Sequence, residues 1–426
     1  MKATKIFMMA ALALTFAACS NDDNDLAQQP AEQPVNGEIT ITATLDVNDG
    51  ASTRALSIDG SNIASTWETT DQFAILFNDG SSNVKRIATV VAPISGSTVT
   101  ITFTIPSSLA SNTPCTIVYP ASAANATNTG ADVATALAAQ VGTIGNCPEV
   151  RGGTAPIDKD NHNLTSVTKL VAQNAIFKFT LQDLSAGAKS ATEFKVSDGS
   201  GNVITTVTPG SASGELYVAL PVMAAGTYWF NATIDSKPYI AKATTAAETV
   251  AGKYYQTTVK MATIGDVILS DGKFAARSSN TGPEVAMIAY LGSSTGVDGY
   301  THGLAHALSD KGSMNWTTAT GASGAAAHTP AAPTPITSSW QLPSKDQWNK
   351  MIDACKNVLG TQNNYQDLRD GFTSVGGSNL ESDCYWSGTG DEGSPDGAWV
   401  FLFYLGGWDE FPRDFDFPLV RACLAF

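Results

Sequence analysis

Hydrophobic and polar positions alternate with a period of two along much of this chain, and the clearest run comes first. Ile39, Ile41, Ala43, Leu45 and Val47 alternate with Thr40, Thr42, Thr44 and Asp46, which predicts a strand with one buried face. Asn48-Asp49-Gly50 supplies the turn that ends it. Strand-like stretches follow at Phe73 to Phe77, Val84 to Val91, Thr98 to Ile105 and Cys115 to Tyr119. The Ala-, Asn- and Thr-rich stretch from Ala121 to Gly145 carries little pattern beyond a short helix expected between Val133 and Val141. A second set of strands begins near Leu164, with Ala175 to Leu181, Glu215 to Pro221, Gly226 to Ile234 and Ala251 to Val259. Pro221 stops its strand because it has no amide to give to a ladder.

Beyond Ile264 the pattern becomes mixed. Ala286 to Leu291 and Thr301 to Leu308 read as short strands, and a loop rich in Ala, Gly, Thr and Pro runs from Ala319 to Ser339. Ser344 is placed to cap a helix on which Trp348, Met351, Ile352 and Cys355 recur at helical spacing, with Lys345, Asp346 and Lys350 pointing outward. Tyr385 to Thr389, Ala398 to Phe403 and Val420 to Phe426 are expected strands. The expected architecture is mostly β: tandem β-sandwiches over residues 37–163 and 164–262, then an α+β unit over 263–426.

Composition narrows the partners. The 426 residues are 43% hydrophobic, enough for two or three packed domains. Lys and Arg total 24 against 39 acidic residues, a net charge of -15, so nucleic acid is not an expected partner. At the N-terminus, Lys2 and Lys5 form a basic region ahead of an apolar run, Ile6 to Phe16, too short for a stable membrane span. Leu14-Thr15-Phe16-Ala17-Ala18-Cys19 resembles a bacterial lipoprotein signal, which implies a signal peptide over 1–19 and acylation of Cys19 at the outer membrane. Each buried CH₂ of such an anchor contributes about 0.8 kcal/mol. An ordinary secretory signal cut elsewhere is the alternative. Residues 20–36, acidic and then rich in Gln, Pro and Ala, read as a disordered tether.

The remaining cysteines are Cys115, Cys147, Cys355, Cys384 and Cys423, an odd set with no C-x-x-C spacing. Cys115 and Cys147 either close a loop, worth about 3 kcal/mol if unstrained, or remain free buried thiols. His302 and His306 would share one face of a helix, but Gly303 weakens a helix there and no zinc-protease glutamate accompanies them. They read as partly exposed structural histidines. No metal or other cofactor is expected.

Ser52-Thr53-Arg54-Ala55, followed by Thr66-Trp67-Glu68-Thr69-Thr70-Asp71-Gln72-Phe73-Ala74-Ile75-Leu76, resembles the fimbrillins, the lipoprotein subunits of type V pili. The likeness covers roughly residues 37–262 and implies transthyretin-like sandwiches. It also implies proteolysis between Arg54 and Ala55, loss of the first strand with its lipid, and filling of the vacated groove by a donor strand from another pilus subunit. The physics is β-augmentation of an unpaired sheet edge. An arginine in a surface loop that is never cut is the plainer alternative.

Trp340-Gln341-Leu342-Pro343-Ser344 with Trp348, then Tyr385-Trp386-Ser387-Gly388, and finally Val420-Arg421 running to Phe426 resemble the C-type-lectin-like fold. The similar branch is the bacterial formylglycine-generating-enzyme-like and major-paralogous type. The resemblance implies a Cys355–Cys423 disulfide, with Cys384 left over. The chain departs from the enzymes in lacking a close cysteine pair to hold copper, and from calcium lectins in lacking their Glu-Pro-Asn and Trp-Asn-Asp motifs. Binding rather than catalysis is expected. Trp386, Trp399 and Phe401 read as core, whereas Leu405 to Phe417 reads as an open loop with Trp408, Asp409, Glu410, Phe411 and Asp414 as ligand-binding candidates. Aromatic faces stack on sugar rings, carboxylates bond hydroxyls, and the same mixture suits protein hot spots.

These resemblances imply a fimbrial subunit at the cell surface that binds glycan or protein through residues 263–426. That module lies where a polymerising subunit keeps its donor strand, so a tip or accessory adhesin is expected. A surface-tethered formylglycine-generating-like enzyme and a purely structural envelope lipoprotein are the alternatives.

Overall fold

The computed structural model describes residues 37–46, 57–59, 62–64, 67–95, 98–165, 169–277 and 282–426. The predicted Cys19 acylation and Arg54–Ala55 cleavage positions lie outside them. The described chain is mostly β, as its alternation dictates.

The first sheet runs in the order Glu38–Asp46, Thr98–Pro106, Asn83–Ser95, Gln72–Asn78, Thr113–Tyr119, Arg151–Asp158, Asn163–Leu164, and Val171–Ala172 also pairs with Arg151–Asp158. Since those last two strands belong to this sheet, the first unit extends to Ala172, beyond the expected boundary at 163. Gln72–Asn78 is buried on both faces, which explains its unbroken apolar run. Phe73, Ile75 and Phe77 fill the core of their own sheet with Ile41, Leu45, Ile101 and Phe103. Ala74 and Leu76 face the other way, toward Leu137 and Val150 and toward Ile176, Ala219 and Tyr254 of the second sheet.

The second sheet runs Glu215–Pro221, Asn174–Asp183, Tyr254–Thr263, Lys237–Thr245, Gly226–Ile234, Glu193–Ser197, Val203–Val207, Ala139–Gln140. It folds back on itself, because Phe179 meets Phe194 at 5.3 Å and Phe230 at 5.4 Å although their strands are not neighbours. Its last strand is lent from the first unit. The helix Val133–Leu137, capped by Asp132, delivers Ala139–Gln140 parallel to Val203–Val207. Buried Gln140 fastens the loan: its amide donates to the Ala219 carbonyl at 2.7 Å and accepts from the Ala219 amide at 2.8 Å.

Residues from Val267 onward form two five-stranded sheets with short helices beside them. One sheet joins Gly303–Ala307 to the final strand Cys423–Ala425, and the other is ordered Gly312–Ser313, Leu419–Val420, Cys384–Gly390, Gly397–Leu402, Gly407–Pro412. The helix Lys345–Cys355 is set by a capping box in which Ser344 accepts from the Gln347 amide and Gln347 accepts from the Ser344 amide. It buries Trp348, Met351, Ile352 and Cys355, the residues its periodicity selects. Arg421 is fully buried, bound to Asp310 at 2.6 Å, to the carbonyls of Ala307, Ser378 and Asn379, and stacked over Phe372. Tyr385 completes the network by donating to Asp310 at 2.9 Å.

Candidate functional site

Two surfaces carry the functional argument. The first is the edge formed by Glu38–Asp46. All nine residues pair antiparallel with Thr98–Pro106, while Ile41, Ala43 and Leu45 point into the core. The opposite side of this strand also makes backbone bonds to described residues. The Thr42 amide donates to the His162 carbonyl at 3.0 Å, and the Leu170 amide to the Asp46 carbonyl at 3.0 Å. Glu38 pairs with Arg86 at 3.5 Å on the surface, a contact of little energetic weight. A chain without residues 38–46 would present Thr98–Pro106 as an unpaired edge beside a bared groove of Val99, Ile101, Phe103 and Ile105.

The second surface is the acidic, aromatic face near Phe411. The stretch expected as an open loop is in part a strand: Gly407–Pro412 pairs through its whole length with Gly397–Leu402. Its alternation is obscured because it is an edge strand, exposed or half-exposed throughout. Trp408 is committed to internal contacts. Its ring meets Phe401 edge-on at 5.2 Å, and its Nε1 donates to Asn349 at 2.8 Å. The Lys345 ammonium sits 3.1 Å from the Trp399 ring centre and 5.3 Å from that of Trp408, closing a clamp that sequence reading missed. Desolvation there lowers the Lys345 pKa. Trp399, expected in the core, is only half-buried, whereas Trp386 and Phe401 are core as expected.

Asp409 accepts from the Glu410 amide at 2.9 Å, and the Glu410 side chain lies over Gly397, where any larger residue would collide with it. Pro412 has no amide to offer. The free edge of this strand is therefore blunted against pairing. What stays open is a triad: Phe411, Phe415 and Phe417 lie 5.4–5.9 Å apart, and Phe415 and Phe417 are 40% and 48% exposed. Asp414 and Asp416 are exposed between them. The neighbouring Arg413 stacks over Trp316 at 4.4 Å and donates to the Gly397 carbonyl.

The remaining predicted positions need correction. Cys115, Cys147, Cys355 and Cys423 are separate buried thiols, as is Cys384. Cys115 faces the core of the first sheet while Cys147 sits in the cluster on its other side, so the loop bond between them does not form. Cys355 donates instead to the Ala289 carbonyl at 3.4 Å. Burial pushes the thiols of Cys115, Cys147, Cys384 and Cys423 up to about 12. His306 lies on the strand Gly303–Ala307, with His302 just ahead of it, so no helical face joins them. Neither is partly exposed. His306 is wholly buried, 4.6 Å from Trp348, and burial lowers its pKa to about 3. His302 stacks on Trp229 of the second unit at 3.9 Å, beside a cleft of about 230 Å³ between that unit and the C-terminal module. Among the described residues no group of three or more His, Cys, Asp or Glu is placed to hold a metal ion. None of the described helices is long and apolar enough to cross a membrane.

No protein family matches the chain by sequence, and no curated protein does. Solved structures give distant likenesses. A fimbrial protein from Bacteroides ovatus is 12% identical, covering 92% of this chain and 100% of its own, with a TM-score of 0.29. A fimbrial assembly protein from Parabacteroides distasonis is 11% identical over 52% of this chain and 90% of its own, again with a TM-score of 0.29. A streptococcal ancillary pilin is 12% identical over 54% and 70%, with a TM-score of 0.18. Scores this low carry no functional argument, which rests on the chain's own geometry.

Proposed function

We propose that this chain is a fimbrial subunit at the cell surface, assembled by strand exchange and carrying a C-terminal recognition module of lectin-like type. The observation that carries the reading is the edge strand Glu38–Asp46: nine paired residues, a buried apolar face, and Arg54 a few residues further along the chain. Cleavage after Arg54 would release that strand together with a lipidated Cys19 and an outer-membrane anchor. A foreign strand with the same alternation would then satisfy the Thr98–Pro106 amides and carbonyls and refill the groove. The module supplies binding rather than catalysis. Its open surface is the Phe411–Phe415–Phe417 triad with Asp414, in place of Trp408, whose indole N–H is already engaged by Asn349. A protein partner suits this exposed apolar triad better than a glycan does. The strand Cys423–Ala425 is wholly buried and bonded on Gly303–Ala307, so it is not itself a free donor strand.

The test treats the full chain with a trypsin-like protease. Mature protein should begin at Ala55 and form higher-order assemblies, and Arg54→Ala should abolish both. Assembled protein that retains residues 38–46 and acylated Cys19 would falsify the exchange mechanism. Loss of surface or partner binding in Phe415→Ser with assembly intact would place recognition on the triad.

A further inference from the structure

A separate site lies between the second unit and the C-terminal module. Trp229 and Lys242 are directly opposite each other on paired strands, which brings the ammonium to 5.6 Å from the indole ring. The module supplies Thr301 and His302, and the turn holding Ser200 closes over them. Gly201 takes a positive φ of 84° there, and a side chain on it would run into the Thr301 hydroxyl.

Lys242 is the unusual member. It is half-buried, and desolvation lowers its pKa. Among the described residues no ion pair holds it. The carboxylate that acts on it from a distance, Asp271, is already paired with Lys273 at 2.6 Å. Its cation–π contact with Trp229 at this distance offsets only part of the lost hydration. His302 has one ring face on Trp229 and, held well below its ordinary pKa at about 4, stays neutral at physiological pH. It therefore brings a hydrogen-bonding edge and no second charge. The hydroxyls of Ser200, Thr227 and Thr301 line it too, together with the apolar Pro335, Ile336 and Phe426.

Among the described residues the cleft thus offers one cation without an ion pair, aromatic and apolar walls and several neutral hydrogen-bonding groups in about 230 Å³. Drug-sized sites usually span about 300–1,000 Å³, so this one suits a single small ring. We propose that it binds a small hydroxylated carboxylate of monosaccharide size, an acidic sugar such as a hexuronate, with the carboxylate on Lys242 and the hydroxyls on Ser200, Thr227 and Thr301. This goes beyond the assembly and recognition surfaces described above and stands independently of them.

Calorimetric titration of the full chain with glucuronate, galacturonate, glucose and acetate tests it. Saturable binding is expected for one or both uronates, with acetate and glucose each weaker by about tenfold or more, since each lacks one half of the contact set. Lys242→Met should weaken uronate binding by about tenfold or more, and Lys242→Arg should retain most of it. Thr301→Val gives an independent arm that leaves the charge in place and should lower uronate affinity without changing the acetate signal. No saturable uronate binding overturns the proposal, as does glucose or acetate binding equally well. Should Lys242→Met not fold, unchanged uronate affinity in Thr301→Val overturns the proposal.

Discussion

Replacing Arg421 with methionine should destabilise the C-terminal module more than any exposed change in it. The guanidinium is fully buried and makes its Nε bond to Asp310 at 2.6 Å and further bonds to the carbonyls of Ala307 and Ser378 at 3.0 Å and of Asn379 at 3.4 Å. Methionine matches the stem but carries no guanidinium, so the loss is polar and includes the stacking over Phe372. It strands three carbonyls and leaves Asp310, only 17% exposed, with Tyr385 as its remaining side-chain donor. Removing one partner of a buried pair costs about 3–5 kcal/mol. Summing the bonds singly would overshoot, because the freed groups relax together. The assay is urea unfolding followed by near-UV circular dichroism, which reports the tryptophans packed around the helix Lys345–Cys355. Arg421→Lys should recover only part of the loss, since one ammonium cannot reach every carbonyl. Asp310→Asn combined with Arg421→Met should cost clearly less than the sum of the two. A loss below about 1 kcal/mol for Arg421→Met would refute the idea that this network holds the module together.

Four further outcomes follow from the same structure. His306 is neutral in the fold with its pKa lowered from 6.5 to about 3, so the unfolded chain takes up its proton first as pH falls. Stability from this group is complete above pH 6.5 and declines by about 1.4 kcal/mol per pH unit down toward pH 3; His306→Gln should remove that slope in acid unfolding curves. Leu45→Ala should cost about 2–5 kcal/mol and raise hydrogen exchange along Thr98–Pro106, and unchanged exchange there would contradict the buried edge. Ser344→Ala should cost about 0.5–2 kcal/mol in the same urea assay. Thiol titration should find the described cysteines unreactive in the folded protein and reactive in denaturant without any reductant; a need for reductant would restore the disulfides.

Strands buried on one face were legible in the sequence because period-two alternation survives wherever one face is wet, as in Glu38–Asp46 and Thr98–Pro106. The capped helix was legible because Ser344 and the spacing of Trp348, Ile352 and Cys355 are local signals. What escaped was set by tertiary neighbours. Gly407–Pro412 has no buried face to impose alternation. Lys345 reads as an outward helix residue until Trp399 and Trp408 arrive from another sheet. The first boundary was misplaced because Asn163–Leu164 and Val171–Ala172 are two-residue strands, too short for any periodicity. The Cys115–Cys147 pairing failed because spacing along the chain does not say on which side of a sheet each thiol falls.

The parallel pairing of Asn174–Asp183 with Tyr254–Thr263 has a mechanical consequence. These strands open and close the second unit, so tension entering at Asn174 and leaving near Thr263 pulls the two past each other lengthwise. In that direction the ladder from Ile176–Tyr254 to Asp183–Met261 is loaded all at once, whereas the hairpin Gly226–Ile234 with Lys237–Thr245 would open one rung at a time if pulled at its ends. Single-molecule pulling across this unit should therefore give one high rupture force, and a pair of interfacial proline substitutions in Tyr254–Thr263 should lower it sharply. A chain loaded along this axis would carry its load through this clamp.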